Sequence, residues 1–237
     1  MSHWLLFAGI MVFAAFTQRL TGFGLALVSV PLLVNLLPVV NVAPLLALFG
    51  LIVNASILLD DWDQLQWDEV WRLGIALVPS IPIGVWALRN VKREWVLGVL
   101  GTVLIGYGLY ALCAPRLPRI KDHNWAFTFG FLAGMLGGAY NTTGPPAVIY
   151  GTSRNWSPLA FKANLQAFFF LGNVIGIVSH ALSGNINWLV WRHLAVSVPA
   201  ALLGIWIGGK LESHLSPKAF RQIVQIGLVA MGVTLII

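Results

Sequence analysis

The sequence predicts an all-α polytopic membrane protein of two homologous halves, with about eight transmembrane helices and two broken or re-entrant segments. Three observations carry this reading. The 237 residues are 58% hydrophobic and only 9% charged, whereas a soluble domain is about one-quarter charged; mean hydropathy is +0.84. The apolar runs are long enough to span a bilayer, which takes about 20 residues per crossing. The second half of the chain also repeats the first. A water-soluble globule and a disordered chain are both excluded, and after roughly eight to ten segments no length remains for a soluble catalytic domain.

The apolar runs are Trp4–Leu20, Phe23–Leu37, Val42–Leu59, Val70–Leu88, Trp95–Cys113, Trp125–Leu136, Pro145–Tyr150, Phe161–Leu182, Trp188–Ile207 and Ala219–Ile237. They do not alternate as barrel strands would. A spanning segment must satisfy its own backbone, so helices are expected. The start, MSHWLLFAGIMVFAAF, lacks the basic stretch of a secretory signal and reads as a retained first helix. Trp62, Trp67, Trp71, Trp95, Trp125, Trp156, Trp188 and Trp191 fall at segment ends, as an interfacial belt requires.

Net charge is +6 and the isoelectric point about 9.9. The bases are scattered through short loops, which suits a positive-inside signal and a lipid bilayer partner better than nucleic acid. Five acids lie between Asp60 and Glu69, a loop expected outside. The basic stretches at 89–94 and 208–218 are expected together in the cytoplasm, and the bases Arg116, Arg119 and Lys121 conflict with that layout if Trp95–Cys113 spans once. Cys113 is the single cysteine, so no internal disulfide and no cysteine metal site can form. His3, His123, His180, His193 and His214 show no ligand spacing. No hydrolase or metalloprotease motif is present. Neither a cofactor, a metal nor an enzyme activity is expected.

At an offset of 120, Trp71-Arg72 matches Trp191-Arg192, Pro79 matches Pro199, Gly84 matches Gly204, Trp86 matches Trp206 and Phe49 matches Phe169. Gly22 and Pro31 match Gly137 and Pro146, and Gly101 and Gly106 match Gly227 and Gly232, with small drift. Residues 1–113 and 125–237 therefore read as repeats joined by 114–124. Secondary transporters are often built this way. Parallel halves of four spans are favoured if Trp4–Leu37 and Trp125–Tyr150 each cross once as broken helices. If both parts of each pair cross, the halves have five spans and are inverted.

Polar groups inside apolar runs are costly and need a reason. In the first half, Gln18, Arg19, Thr21, Gly22, Phe23 and Gly24 interrupt a long apolar stretch. A break here would free N–H groups at a helix start, where anions bind. Arg19 would add a fixed charge, or else snorkel to the interface. In the second half, the cluster from Gly134 to Pro146 holds four glycines, Asn141, Thr142, Thr143 and Pro145-Pro146, with Gly144 among the glycines, and is expected to resist a regular helix throughout. Pro145 suits a first helical turn, leaving the following N–H groups free. An unwound stretch at membrane depth lines protein or a cavity; the alternative is an ordinary loop. Asn54 and Asn164 are further polar residues in apolar helices. Gln166, Asn173 and His180, each seven apart, share one helix face. Gln166 and Asn173 are candidate cavity residues, and His180 is a candidate proton carrier or an interfacial residue. Gly130/Gly134, Gly134/Gly138, Gly172/Gly176 and Gly204/Gly208 are spaced for close helix packing within the chain or in a homo-oligomer.

The runs Gln18-Arg-Leu-Thr-Gly-Phe-Gly24 with Val30-Pro-Leu-Leu33, and Gly134-Met-Leu-Gly-Gly138 with Thr143-Gly-Pro-Pro146 and Tyr150, resemble the sulfite exporter TauE/SafE family of membrane permeases. The resemblance covers nearly the whole chain. It implies an inner-membrane carrier of two homologous halves that moves sulfite, sulfonates or related organic anions. Arg19 stands where the family often has a small residue, and Asn141-Thr142 where it is small and glycine-rich, so the substrate itself is left open. The reading is an exporter of a small sulfur-containing anion working by alternating access, with an anion channel or a carrier of another small organic anion as the alternatives.

Overall fold

A computed structural model describes residues 2–113 and 119–211, with positions 226, 229 and 233 beyond them. Apart from those three positions, the expected segment Ala219–Ile237 lies outside the described residues, as do Arg116, His214 and the basic stretch at 212–218. The described chain is helical: α1 (Ser2–Thr21), α2 (Leu25–Leu33), α3 (Val39–Asp60), α4 (Trp67–Asn90), α5 (Arg93–Cys113), α6 (Trp125–Tyr140), α7 (Gly144–Ser153), α8 (Pro158–Leu182) and α9 (Trp188–Leu211), with a single 3-10 turn at Trp62–Gln64. Five of these, α1, α3, α4, α8 and α9, are long and apolar enough to cross a membrane. By contrast α2 and α7 have 9 and 10 residues. At about 1.5 Å per residue they are about 14 and 15 Å long, half of a hydrocarbon core of about 30 Å.

Local chemistry sets the helix ends. Gly22 and Gly24 take φ of 79° and 111°, a region that glycine alone enters without penalty, and the chain leaves α1 there. Ser157 caps α8 by accepting the Ala160 N–H, with Pro158 in the first turn, where a missing N–H costs nothing. Asn141 ends α6 in the left-handed region at φ 56°. Its N–H reaches Gly137 O at 2.7 Å, and Thr142 N–H reaches Leu136 O at 3.3 Å, a helix stop that asparagine tolerates. The glycine-rich stretch before it, expected to resist helix formation, is helical through Tyr140. Its glycines serve helix packing, and only Asn141–Thr143 break.

The helices run in two opposed sets. Along α3 and α8, Asp61 pairs with Lys162, Gly50 meets Asn173 and Ala47 meets Gly176, so one sequence climbs as the other falls. Gln66 meets Asn164 at the starts of α4 and α8, which are therefore parallel. On α6, Gly130, Gly134 and Gly138 meet Leu73, Ser80 and Gly84 of α4 in order, again parallel. Trp4 stacks near His193, while Gly204 meets Val12 and Gly208 meets Arg19, so α1 and α9 are parallel. Gln18 reaches Asn54 and Arg19 reaches Asp60, which aligns α1 with α3. Hence α1, α3 and α9 point one way and α4, α6 and α8 the other.

This direction pattern corrects two expectations. Helices at corresponding places in the two proposed halves (α1 and α6, α3 and α8, α4 and α9) are antiparallel, so the parallel arrangement of broken single crossings does not hold. The cause is the turn-back at each break. The chain leaves α1 beside Asp60 at the end of α3, yet must begin α3 at the opposite end, so α2 runs back. Likewise Arg154, just past α7, bonds Ile120 O and Lys121 O before α6. The described parts of the two basic stretches are also separated: Arg89 donates to Ser183 O at the end of α8, whereas Gly208 and Gly209 sit against Arg19 at the acidic end. Trp156, half-buried at the same end as Glu69, covers Gly151 and packs on Tyr150 and Phe161.

Small residues let the helices approach backbone to backbone, which drives association where no hydrophobic effect operates. A Cβ on Gly138 would strike Ile81 O and Val85 N, and one on Gly84 would strike Met135 O and Ala139 N. At Gly172 the nearest atom is Leu77 Cδ1 at 3.6 Å, an ordinary contact. Gly138→Val is therefore expected to cost at least about 3 kcal/mol, the upper end for overpacking, and to abolish folded, monodisperse protein in detergent. Gly172→Ala is expected to leave the melting temperature within a few degrees. Comparable behaviour of the two variants would refute this packing.

Candidate functional site

Two chain breaks far apart in sequence meet at one partly open cavity of about 30 Å³ among buried residues, room for a water or two. From the first half come Gln18, Gly24, Leu25, Ala26 and Leu27, with Gly50 and Asn54 of α3; from the second come Asn141, Thr142, Thr143 and Gly144, with Phe169 and Asn173 of α8. Among the described residues the lining carries no Lys, Arg, His, Asp or Glu. It is polar through amides, hydroxyls and backbone.

The start of α2 faces this cavity. First-turn N–H groups have no acceptor in their own helix. That of Leu25 bonds Gln18 Oε1 at 3.0 Å, and the next two residues, Ala26 and Leu27, line the cavity. Gln18 is thus the fixed point of this wall. Its Nε2 donates to Asn54 Oδ1 at 2.8 Å and to Gln166 Oε1 at 3.2 Å, and Gln166 in turn donates to Gly22 O at 2.7 Å. One layer of amides therefore holds α1, the glycine turn, α3 and α8 together.

The start of α7 faces the same space but is poorer in donors. Pro145 and Pro146 both lack an N–H, so freed N–H groups beyond Pro145 are not available and Gly144 supplies the remaining one. Thr142 donates its hydroxyl to Tyr140 O at 3.2 Å. The Thr143 hydroxyl and the Asn173 amide have no hydrogen-bond partner among the described residues, although Asn173 is only 4% exposed. Gly50 makes room for that amide: a Cβ there would lie 2.8 Å from Asn173 Nδ2.

The remaining expected site residues lie outside the cavity. Arg19 pairs with Asp60, its stem against Gly208 of α9. The Thr21 hydroxyl bonds the backbone of its own turn. Gly22 contributes its carbonyl to Gln166, and the Phe23 ring packs edge-on against Tyr107 of α5 at 6.0 Å. Gln166 sits in the amide layer and touches the cavity only through Gln18. His180 is two helical turns beyond Asn173, buried, with Nδ1 3.1 Å from Asn185 Nδ2. The shared face of Gln166, Asn173 and His180 is the buried face of α8.

Asn54, Gly50, Phe169 and the first turn of α2 complete the lining. Asn54 carries a sequence signal, a lone amide in an apolar helix, whereas Gly50 carries none. Among the described residues no group of three or more His, Cys, Asp or Glu is placed to hold a metal. Gln18→Leu is expected to lower stability by about 1–3 kcal/mol, because it strands the buried Leu25 N–H and two amide partners. Arg19→Ala is expected to cost under about 1 kcal/mol, because Asp60 is more than half exposed. Melting temperatures in one detergent compare the two, and an equal loss would contradict the network.

The family model for sulfite exporter TauE/SafE matches residues 7–235. The chain is similar to the probable sulfite/organosulfonate exporter TauE of Cupriavidus necator, with 25% identity over 227 residues, 93% of this chain and 88% of that protein. It is also similar to the probable inner membrane transporter protein TsaS of Comamonas testosteroni, 25% identical over 174 residues and 73% of each chain. The probable membrane transporter protein YunE of Bacillus subtilis is 31% identical over 111 residues, 47% of this chain and 39% of that protein. No solved structure matches the chain. With a match spanning nearly its whole length, and apolar helices that cross a membrane several times, the chain belongs to the sulfite exporter TauE/SafE family, a family of multi-pass membrane transporters rather than enzymes.

Proposed function

We propose that this protein is a secondary transporter that exports a small sulfur-containing anion, such as sulfite or an organosulfonate, across the cytoplasmic membrane. The observation that carries the reading is the meeting of two short helix starts, α2 and α7, at one cavity whose described lining holds amides and hydroxyls but no charged side chain. Helix starts attract anions through free N–H groups and the helix dipole, and transporters use them in this way near the bilayer middle. The relatives named as a sulfite/organosulfonate exporter and an inner membrane transporter point to the same cargo class and membrane.

Residues 1–113 and 125–237, joined by 114–124, would be inverted repeats, giving about eight spanning helices and two half-helices. The opposed directions of corresponding helices support this. So does the reciprocal packing: α4 lies on α6 at Gly84, and α9 lies on α1 at the matching Gly204. Asn54 and Asn173, at nearly the same offset, both line the cavity. Gln18, Gly24, Asn54, Asn141, Thr142, Thr143, Gly144 and Asn173 would touch the anion. Thr21, Gly22, Phe23 and Gln166 would hold the shape of the wall. The pairs Arg19–Asp60 and Lys162–Asp61 would close one entrance. A cavity of about 30 Å³ admits a sulfur oxyanion only when its walls part, which rocking of the repeats would accomplish.

Flux of sulfite or a sulfonate from proteoliposomes is expected to saturate and to depend on a counter-ion. Asn173→Ala and Thr143→Val are each expected to lower it by about tenfold or more, since a hydrogen bond to a charged group is worth about 1.5–3 kcal/mol. Arg192→Gln, far from the cavity, leaves it unchanged. Unaltered flux in both cavity variants would remove the site; non-saturating current would replace the carrier by a channel.

A further inference from the structure

The lining of the cavity also bears on the charge of its cargo. The geometry points to a site that accepts a singly charged oxyanion and rejects a doubly charged one; this rests on the anion-transport reading above and narrows it.

Three observations lead there. Among the described residues no ionised side chain lines the cavity. The described bases near the break at Gly22 and the loop after α7 are committed elsewhere: Arg19 to Asp60, Lys162 to Asp61 and Arg154 to Glu69. What positive potential the described lining holds comes from two helix starts, each worth at most about half an elementary charge, and less where Gln18 caps the Leu25 N–H and where Pro145 and Pro146 lack one. Together they match at most about one negative charge.

Desolvation decides against the second charge. The cost of taking an ion out of water rises with the square of its charge, whereas its attraction to fixed dipoles rises only in proportion. A dianion therefore meets about four times the penalty for about twice the attraction. Among the described residues the lining holds no charged side chain that would rescue it. The buried amide of Asn173 and the hydroxyl of Thr143, both without partners among the described residues, suit a protonated oxyanion in a further way. Each offers an acceptor as well as a donor, so an acidic O–H on the ligand finds a partner that lysine or arginine could not provide. A sulfonate carries one charge at every relevant pH. Sulfite does so only in its hydrogen sulfite form, and sulfate is a dianion throughout.

The test is a binding titration of the full chain in detergent, by calorimetry or thermal shift, with methanesulfonate, sulfate and sulfite from pH 6 to pH 9. Methanesulfonate is expected to bind with an affinity independent of pH, and sulfate at least about tenfold more weakly. The apparent affinity for sulfite is expected to fall by about tenfold per pH unit once hydrogen sulfite loses its proton, because only that fraction binds. Sulfate binding as tightly as methanesulfonate, or sulfite binding that strengthens as pH rises, would overturn the charge selectivity while keeping the anion site. Absence of binding by all three anions would overturn the anion reading itself, and the selectivity with it.

Discussion

A backbone N–H inside a hydrocarbon layer must find an acceptor, and the arrangement of this protein turns on how two interrupted helices meet that demand. An unbroken helix satisfies itself. A helix that starts in mid-layer exposes its first N–H groups, and each costs free energy unless something replaces water. At α2 the replacement is partly internal, since Gln18 accepts from Leu25. The rest of that first turn opens on a polar cavity. Gln18 can do this only because Asn54 and Gln166 accept its own donors, and Gln166 is in turn committed to the Gly22 carbonyl. The break, the cavity wall and the contact between α1, α3 and α8 are one set of hydrogen bonds.

The second break solves the same problem by a different route. Pro145 and Pro146 remove donors instead of pairing them, and Asn141 ends α6 by turning left-handed so that its N–H falls on Gly137. Among the described residues, what remains unpaired here is side-chain chemistry, the Asn173 amide and the Thr143 hydroxyl. The cavity is thus asymmetric in its donors, backbone on one wall and side chains on the other, although the two short helices that bound it are nearly equal in length.

Rigid contacts surround this soft centre. The α4–α6 and α1–α9 seams are built on glycines whose missing Cβ atoms let backbones touch. At the acidic end the chain is tied by charge: Arg154 grips Glu69 and the carbonyls of Ile120 and Lys121, and its hydrogen bond to Glu69 raises the Arg154 pKa further. These ties fix where α6, α7 and α8 begin or end. The amides of Gln18, Asn54 and Gln166 bond one another, and the cavity beside them holds the Asn173 amide and the Thr143 hydroxyl, without partners among the described residues.

The amino-acid sequence by itself determined the helical membrane class, because composition and run length set the solvent and the solvent dictates helices. It also marked breaks near Gly22–Gly24 and within Gly134–Pro146, since glycine, proline and polar residues interrupt apolar runs there, although Gly134–Tyr140 is in fact helical. It marked Asn173 and Asn54 as polar groups in need of a reason. Tertiary structure alone decided which of these share a cavity. Arg19 carries the strongest charge signal, yet it pairs with Asp60, because the end of α3 lies beside it and a charge is cheaper there than among neutral amides. Gly50 shows no signal, yet it makes room for Asn173. The direction of the helices was likewise beyond the linear pattern. Periodicity records which face of a helix is buried, not which way its neighbour runs, and only the packed positions of Asp61 with Lys162 and Gly50 with Asn173 reveal that α3 and α8 are opposed.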